Sequence, residues 1–269
     1  MTVGSGVSPD LLDPRKIGAL AGSWIRPTYR RWGIAPRPEN ICTVANNCAA
    51  LQYQKRQAKD QRMHPNKIYH DADAWRNLDF ARERAFGVLV VNGDDGPLVS
   101  HVPFVLSEKG DVVDLHLVRS NPIARSLKVP LKAKIAISSG DSYISPDWYG
   151  IEDQVPTWNY VAIHLTGELK LRPQGELRDL LDIQSGFFEE QLLPKTPWKT
   201  GKMTPDVLDK MMRQIVPCRM IVTDVDGTWK LSQNKPKPVR LRAADGVEAF
   251  GIGSEKAVLA ALMKGAKSR

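Results

Sequence analysis

The sequence is poor in cysteine, in aromatic residues and in long apolar runs, and each shortage removes a class of protein. Its three cysteines, Cys42, Cys48 and Cys218, are too few and too scattered for a disulfide framework. Cys42 and Cys48 flank a TVANN loop, which leaves two readings open, a redox pair or two incidental thiols. The five histidines stand in no HExxH or paired CxxC arrangement, so no metal site is expected. No stretch reaches the roughly 20 apolar residues that cross a bilayer, and the N-terminus lacks the apolar segment and small-residue cleavage site of a secretory signal. A cytoplasmic protein with no membrane partner is therefore the expectation. GxGxxG and Walker loops are missing too, so nucleotide binding through those loops is not expected. No nucleophile–base–acid set stands out, which removes hydrolysis from the readings.

Positive charge, by contrast, is in surplus. The net charge is +8 and the isoelectric point about 9.4. Position matters more than size here. Residues 1–62 hold ten lysines and arginines against four acidic residues, a net +6, which leaves only +2 for the rest of the chain. The basic surplus is that of a tail, and the body offers little long-range attraction to nucleic acid. The first 62 residues also carry Pro, Gly and Asn punctuation (GSGVSPD, APRPEN) with no sustained helical or alternating period. Two explanations stand open: an upstream extension with translation beginning at Met63, or an arm that packs on the body or reaches a partner. The expected division is an N-terminal extension over 1–62 and one functional domain over 63–269.

Patterning becomes legible from Asp71. Asp71 or Asp73 is placed to cap a helix through AWRNLDFARERA, ending at Gly87, because a short carboxylate accepts from the free amides of a first turn. VLVVN and PLVSHVPFVL flank the turn NGDDG and read as a hairpin. VVDLHLV, AKIAISS, SYISP, NYVAIHLTGELKL and CRMIVTDVDG supply further strands. Helices are expected at NPIARSL, through GELRDLLDIQSGFFEEQ, after a Thr204 cap with Pro205 in the first turn, and from Ser254 through EKAVLAALMK. Strands in succession with few crossover helices predict a mainly β protein with short flanking helices, an antiparallel barrel and not a doubly wound sheet.

Two segments could carry chemistry. In VRSNPIARSL, Arg119 leaves a strand, Ser120 or Asn121 caps the next helix, Pro122 takes its first turn and Arg125 follows one turn on. That order would aim helix amides, a polar cap and two guanidinium groups at one place, as a phosphate requires. Surface salt bridges are the competing reading. In SYISPDWYGIEDQVPTWNYVAIH, five aromatics, Tyr143, Trp148, Tyr149, Trp158 and Tyr160, crowd beside Pro146 and Pro156. Such a group can wall a flat ring system, or form a core corner or a subunit interface.

The runs FGVLV, SHVPF, RSNP, SYISPDWY, VPTWNYVAIHLTG and KLSQN, in this order and spacing across residues 63–265, resemble the PaiB-like family, described as FMN-binding negative transcriptional regulators. That family is related to the flavin reductase and pyridoxamine-phosphate-oxidase barrels. The resemblance implies a six-stranded FMN-binding split barrel that forms a homodimer with FMN in the cleft between subunits. On matching positions, Ser100 and His101 would line the flavin edge, and Arg119, Ser120, Asn121 and Arg125 would hold the phosphate. Trp158 and Asn159 would border the ring, and Lys230 and Gln233 would reach it from the C-terminal part or the other subunit. One departure is DLHLVRSNP, where a residue such as Ala is expected beside Arg119. DNA or a regulatory protein is the implied partner. The kinship also admits an FMN-dependent oxidoreductase acting on a small molecule, or a heme-handling or flavin-storage module.

Overall fold

In the computed structural model, residues 63–70 and 72–267 are described. Readings that fall on residues 1–62, including the Cys42 and Cys48 pair, lie outside them. Six antiparallel strands, β1 (Phe86–Gly93), β2 (Gly96–Leu106), β3 (Val112–Val118), β4 (Leu131–Ile144), β5 (Thr157–Leu171) and β6 (Ile215–Lys230), close into a barrel in the order β1-β2-β3-β6-β5-β4. Period-two patterning decides which face each residue takes. Leu89 and Val91, Val102 and Phe104, Val113 and Leu115, Ile135 and Ile137, Ile163 and Leu165, and Cys218 and Met220 point inward and are all buried. At roughly 1.5–3 kcal/mol for each large apolar side chain removed from water, this filled interior is the main stabilising feature of the domain.

Among the described residues six α-helices flank it: α1 (Ala74–Arg84), α2 (Pro122–Ser126), α3 (Leu177–Glu190), α4 (Pro205–Met212), α5 (Lys237–Phe250) and α6 (Lys256–Gly265). Asp73 caps α1, its carboxylate accepting from the Arg76 amide at 2.7 Å. The helix stops at Arg84, with Ala85 left-handed at φ 46°, and Gly87 already lies inside β1. Thr204 stands at the start of α4 without a side-chain capping bond. The segments AKIAISS and SYISP belong to one strand, because β4 absorbs Gly140 as a bulge between Ser139 and Asp141 at φ +60°, and pairing with β5 resumes beyond it. Gly167 sits at a register shift between β5 and β6, where a Cβ would stand 2.2 Å from the Ile221 carbonyl oxygen.

α5 is a helix that the sequence pattern does not announce. Its buried stripe, Val239, Arg240, Ala243, Ala244 and Val247, contains a charged residue. Arg240, 1% exposed, donates from Nε to the Met263 carbonyl at 2.8 Å and from Nη2 to the Ala266 carbonyl, which ties α5 to the end of α6.

The barrel is split at one seam. β2 and β3 pair only from Phe104 to Leu106 opposite Val113 to Leu115, whereas β2 pairs with all of β1 from Gly96 to Pro103. α2 packs beside β2 near this seam, so its N-terminal residues lie next to the part of β2 that contains Ser100.

Candidate functional site

The residues singled out by sequence fall into two groups. The first is built where α2 meets β2. Asn121 caps α2, its Oδ1 accepting from the Ile123 amide at 2.9 Å while its Nδ2 donates to the Ser100 Oγ at 3.1 Å. One amide thus orients both the helix start and the strand hydroxyl. Arg125 lies one turn on, exposed, its backbone amide bonded to the Asn121 carbonyl, and Ser120 is exposed in the preceding turn. His101, next to Ser100, points to the outer face, where its ring stacks near Phe86 at 6.4 Å between centroids.

Arg119 does not converge on this group. Its Nε donates to the Arg213 carbonyl at 3.0 Å, and its Nη2 donates to Gln174 Oε1 at 3.0 Å and the Ile215 carbonyl at 3.4 Å. The carbonyls left open where α4 ends and β6 begins are a nearer acceptor set, so the expected pair of guanidinium groups reduces to Arg125.

The second group lies on β5 and β6. Trp158 and Tyr160 share the outer face of β5, and Lys230 of β6 is the cross-strand partner of Tyr160. Trp158 is 46% exposed and meets Tyr143 edge-on at 6.4 Å. Lys230 donates from Nζ to Thr157 Oγ1 at 2.6 Å, and burial lowers its pKa. His64, packed edge-on against Tyr69 at 4.7 Å, is lowered by burial and then by Lys230 and His70. Tyr160 is raised, by burial first and by Asp226 second. Further along the same face His164 pairs across to Asp226, lowered by burial and by Lys134 against the opposing pull of Asp226. Thr228 is fully buried beside this face, and its Oγ1 has no partner among the described residues.

Two expected members of this group hydrogen-bond within the protein, though Asn159 Oδ1 is buried with no partner among the described residues. Asn159 follows Trp158 and therefore points inward. It is 1% exposed and donates from Nδ2 to Ser232 Oγ at 2.8 Å and to Met263 Sδ at 3.5 Å. Gln233 folds back on its own loop, accepting from the Leu231 amide at 2.8 Å and donating to the Ile68 and Trp229 carbonyls. Sequence reasoning missed Thr157, Thr228 and His64. Thr157 stood inside the VPTWNY run, but nothing in that run says which of its residues meets Lys230.

Strand order fixes the relation of the two groups. β2 and β5 are three strands apart in either direction around a closed barrel of six, which makes them opposite. At roughly 4.8 Å between neighbouring strands, the path along the wall is about 14 Å. In kind, the donors fit FMN: a hydroxyl, an amide and an exposed guanidinium for a phosphate on one side, and an exposed aromatic wall with a half-buried ammonium and hydroxyls on the other.

Such a barrel with such donors defines a flavin-binding protein of the split-barrel class. The chain matches, over residues 63–224, the family described as "Putative FMN-binding domain", and it belongs to that family, whose cofactor is FMN. It is 29% identical over 171 residues to "Protease synthase and sporulation protein PAI 2" of Bacillus subtilis, an overlap of 63% of this chain and 80% of that protein. Among solved structures it overlaps the conserved hypothetical protein Rv2991 from Mycobacterium tuberculosis, with 14% identity, 72% of this chain, all of that chain and a TM-score of 0.46. It also overlaps the FAD and heme binding protein from Mycobacterium smegmatis, with 13% identity, 59% of this chain, 71% of that chain and a TM-score of 0.43. These structural overlaps concern fold alone. No helix among the described residues is long and apolar enough to cross a membrane.

Proposed function

We propose that the chain works as a homodimeric FMN protein in which each flavin is held by the β2–α2 group of one protomer and the β5–β6 group of the other. The opposition of those groups across the barrel carries this reading. A rigid, flat ring system cannot follow a convex wall through half a turn, so both groups serve one flavin only when two copies meet. Exposed apolar side chains on the outer face of β1 and β2, Phe86 and Val99, supply surface for a second copy to cover.

In this arrangement Ser100, Asn121 and Arg125 take the phosphate, Trp158 borders the ring, and Lys230 places a positive charge beside it. FMN supplies the redox chemistry, and these residues bind and orient it. The negative regulatory role implied by the family resemblance then runs, in the cytoplasm, through the flavin and a protein partner. The body carries a net charge of only +2 after residue 62, too little for a surface that must neutralise many phosphates.

The test is the purified protein's visible spectrum together with its sedimentation. A flavin band on a species twice the 30.0 kDa chain mass supports the reading. A monomer holding stoichiometric FMN overturns it. A Soret band in place of the flavin band assigns the barrel to heme, and bleaching of the flavin by NADH or NADPH without oxygen favours an oxidoreductase.

A further inference from the structure

A cavity of about 400 Å³ lies on the side of the barrel away from β4 and β5, between α3, α4 and the outer faces of β2 and β3. Phe188, Trp198, Met203, Met211 and Met212 form much of its wall. Methionines and aromatics together make an apolar wall that adapts to the shape of a ring.

Four polar side chains enter that lining, and they differ in what they bond. Ser185 donates to the Leu181 carbonyl at 2.6 Å, and Thr200 donates to Asp182 at 2.7 Å while accepting from Arg178 at 2.6 Å. Both are satisfied by their own surroundings. His116 Nδ1 and Gln184 Nε2, in contrast, are buried with no partner among the described residues, and Gln184 is 5% exposed. Leaving a buried amide donor unpaired carries a desolvation cost, which is removed when an acceptor occupies the cavity. Burial holds the His116 imidazole below its usual pKa, partly offset by a hydrogen bond with the Gln184 side chain.

We propose that this cavity binds a compact aromatic molecule carrying one carbonyl-type acceptor, which receives a hydrogen bond from Gln184 Nε2 beside the His116 ring. The volume admits a fused two-ring system, the walls match its faces, and the paired polar atoms fix which end enters. The site is separate from the flavin reading, since none of its lining residues belongs to either flavin group.

Equilibrium dialysis of the flavin-loaded protein tests it with two probes of one shape, 2-acetylnaphthalene and 2-ethylnaphthalene, which differ in the carbonyl. The ketone is expected to bind saturably at one site per chain. Gln184→Leu should weaken the ketone about tenfold while leaving 2-ethylnaphthalene within about twofold. Ser185→Phe, which fills the cavity from α3, should abolish both, with flavin content unchanged in either variant. His116→Phe gives a second reading of the polar end should Gln184→Leu fail to fold, and is expected to weaken the ketone selectively. The proposal is overturned if neither probe binds the wild type, which would assign the two polar atoms to water. Equal weakening of both probes in Gln184→Leu, or binding that survives Ser185→Phe, would also overturn it.

Discussion

In the proposed dimer, the β2–α2 corner and the β5–β6 wall would meet one flavin by opposite means. The corner sits beside a seam where two strands pair at only three positions, and its polar groups are close to solvent. The wall lies on one of the two long ladders of the barrel, and burial there shifts Lys230, Tyr160, His64 and His164 from their ordinary pKa values. The corner is suited to grip a phosphate by charge and hydrogen bonds. The wall is suited to position a ring and to set the field around it. Grip and tuning thus fall on different faces, which the proposed dimer would join.

The largest effect expected separates the two by ligand. Arg125→Ala should weaken FMN by about ten- to a hundredfold, because a charge-assisted contact is lost, and should leave riboflavin, which has no phosphate, nearly unchanged. Lys230→Met should weaken both ligands alike, by about tenfold, as a contact to the shared ring. Flavin fluorescence titrations distinguish these patterns. Equal losses of FMN and riboflavin in Arg125→Ala would break the contrast.

A smaller effect concerns Arg119. Its guanidinium is engaged by Gln174 and by the carbonyls of Arg213 and Ile215. Arg119→Ala should therefore change FMN affinity by less than about threefold, while lowering unfolding stability by up to about 1 kcal/mol in a denaturant titration. A hundredfold loss of FMN would return Arg119 to the phosphate site.

The smallest effect is proton-linked and belongs mostly to the wall. His64, His116 and His164 are each lowered from 6.5, by burial first. The unfolded chain therefore binds more protons than the folded one below about pH 6.5, and stability falls as pH drops through that value toward the folded pKa values. The thermal midpoint should decline by a few degrees between pH 7.5 and 5.5. His64→Gln with His164→Gln should flatten that slope, and a slope unchanged by both would place the linkage elsewhere.

The strands were legible because a filled barrel enforces strict alternation, and VVDLHLV maps onto β3 residue for residue. α5 was not, since its buried stripe includes Arg240, satisfied by carbonyls at the end of α6 some 25 residues later, which no local pattern reports. The same limit applied at the site. Ser100, Asn121 and Arg125 are close in the fold, and the SHVPF and RSNPIARSL runs state their chemistry. Neighbouring residues in a strand face opposite ways, however, so a motif such as WN supplies one wall residue in Trp158 and one core residue in Asn159. Arg119 and Gln233 were captured by backbone carbonyls and amides from distant or looped segments, which sequence does not display.

The central claim is that two protomers complete each flavin, and subunit complementation tests it most directly. One variant carries Asn121→Ala and Arg125→Ala, and a second carries Trp158→Ala and Lys230→Ala; each alone should purify as a folded dimer nearly free of flavin. Unfolded together in equal amounts and refolded with FMN, they form mixed dimers in which one of the two sites combines the intact corner of one chain with the intact wall of the other. The visible flavin band should then return to about a quarter of the wild-type value, as random pairing into dimers requires. If the mixture holds no more flavin than the separate variants, the cofactor is bound within one protomer and the account is contradicted.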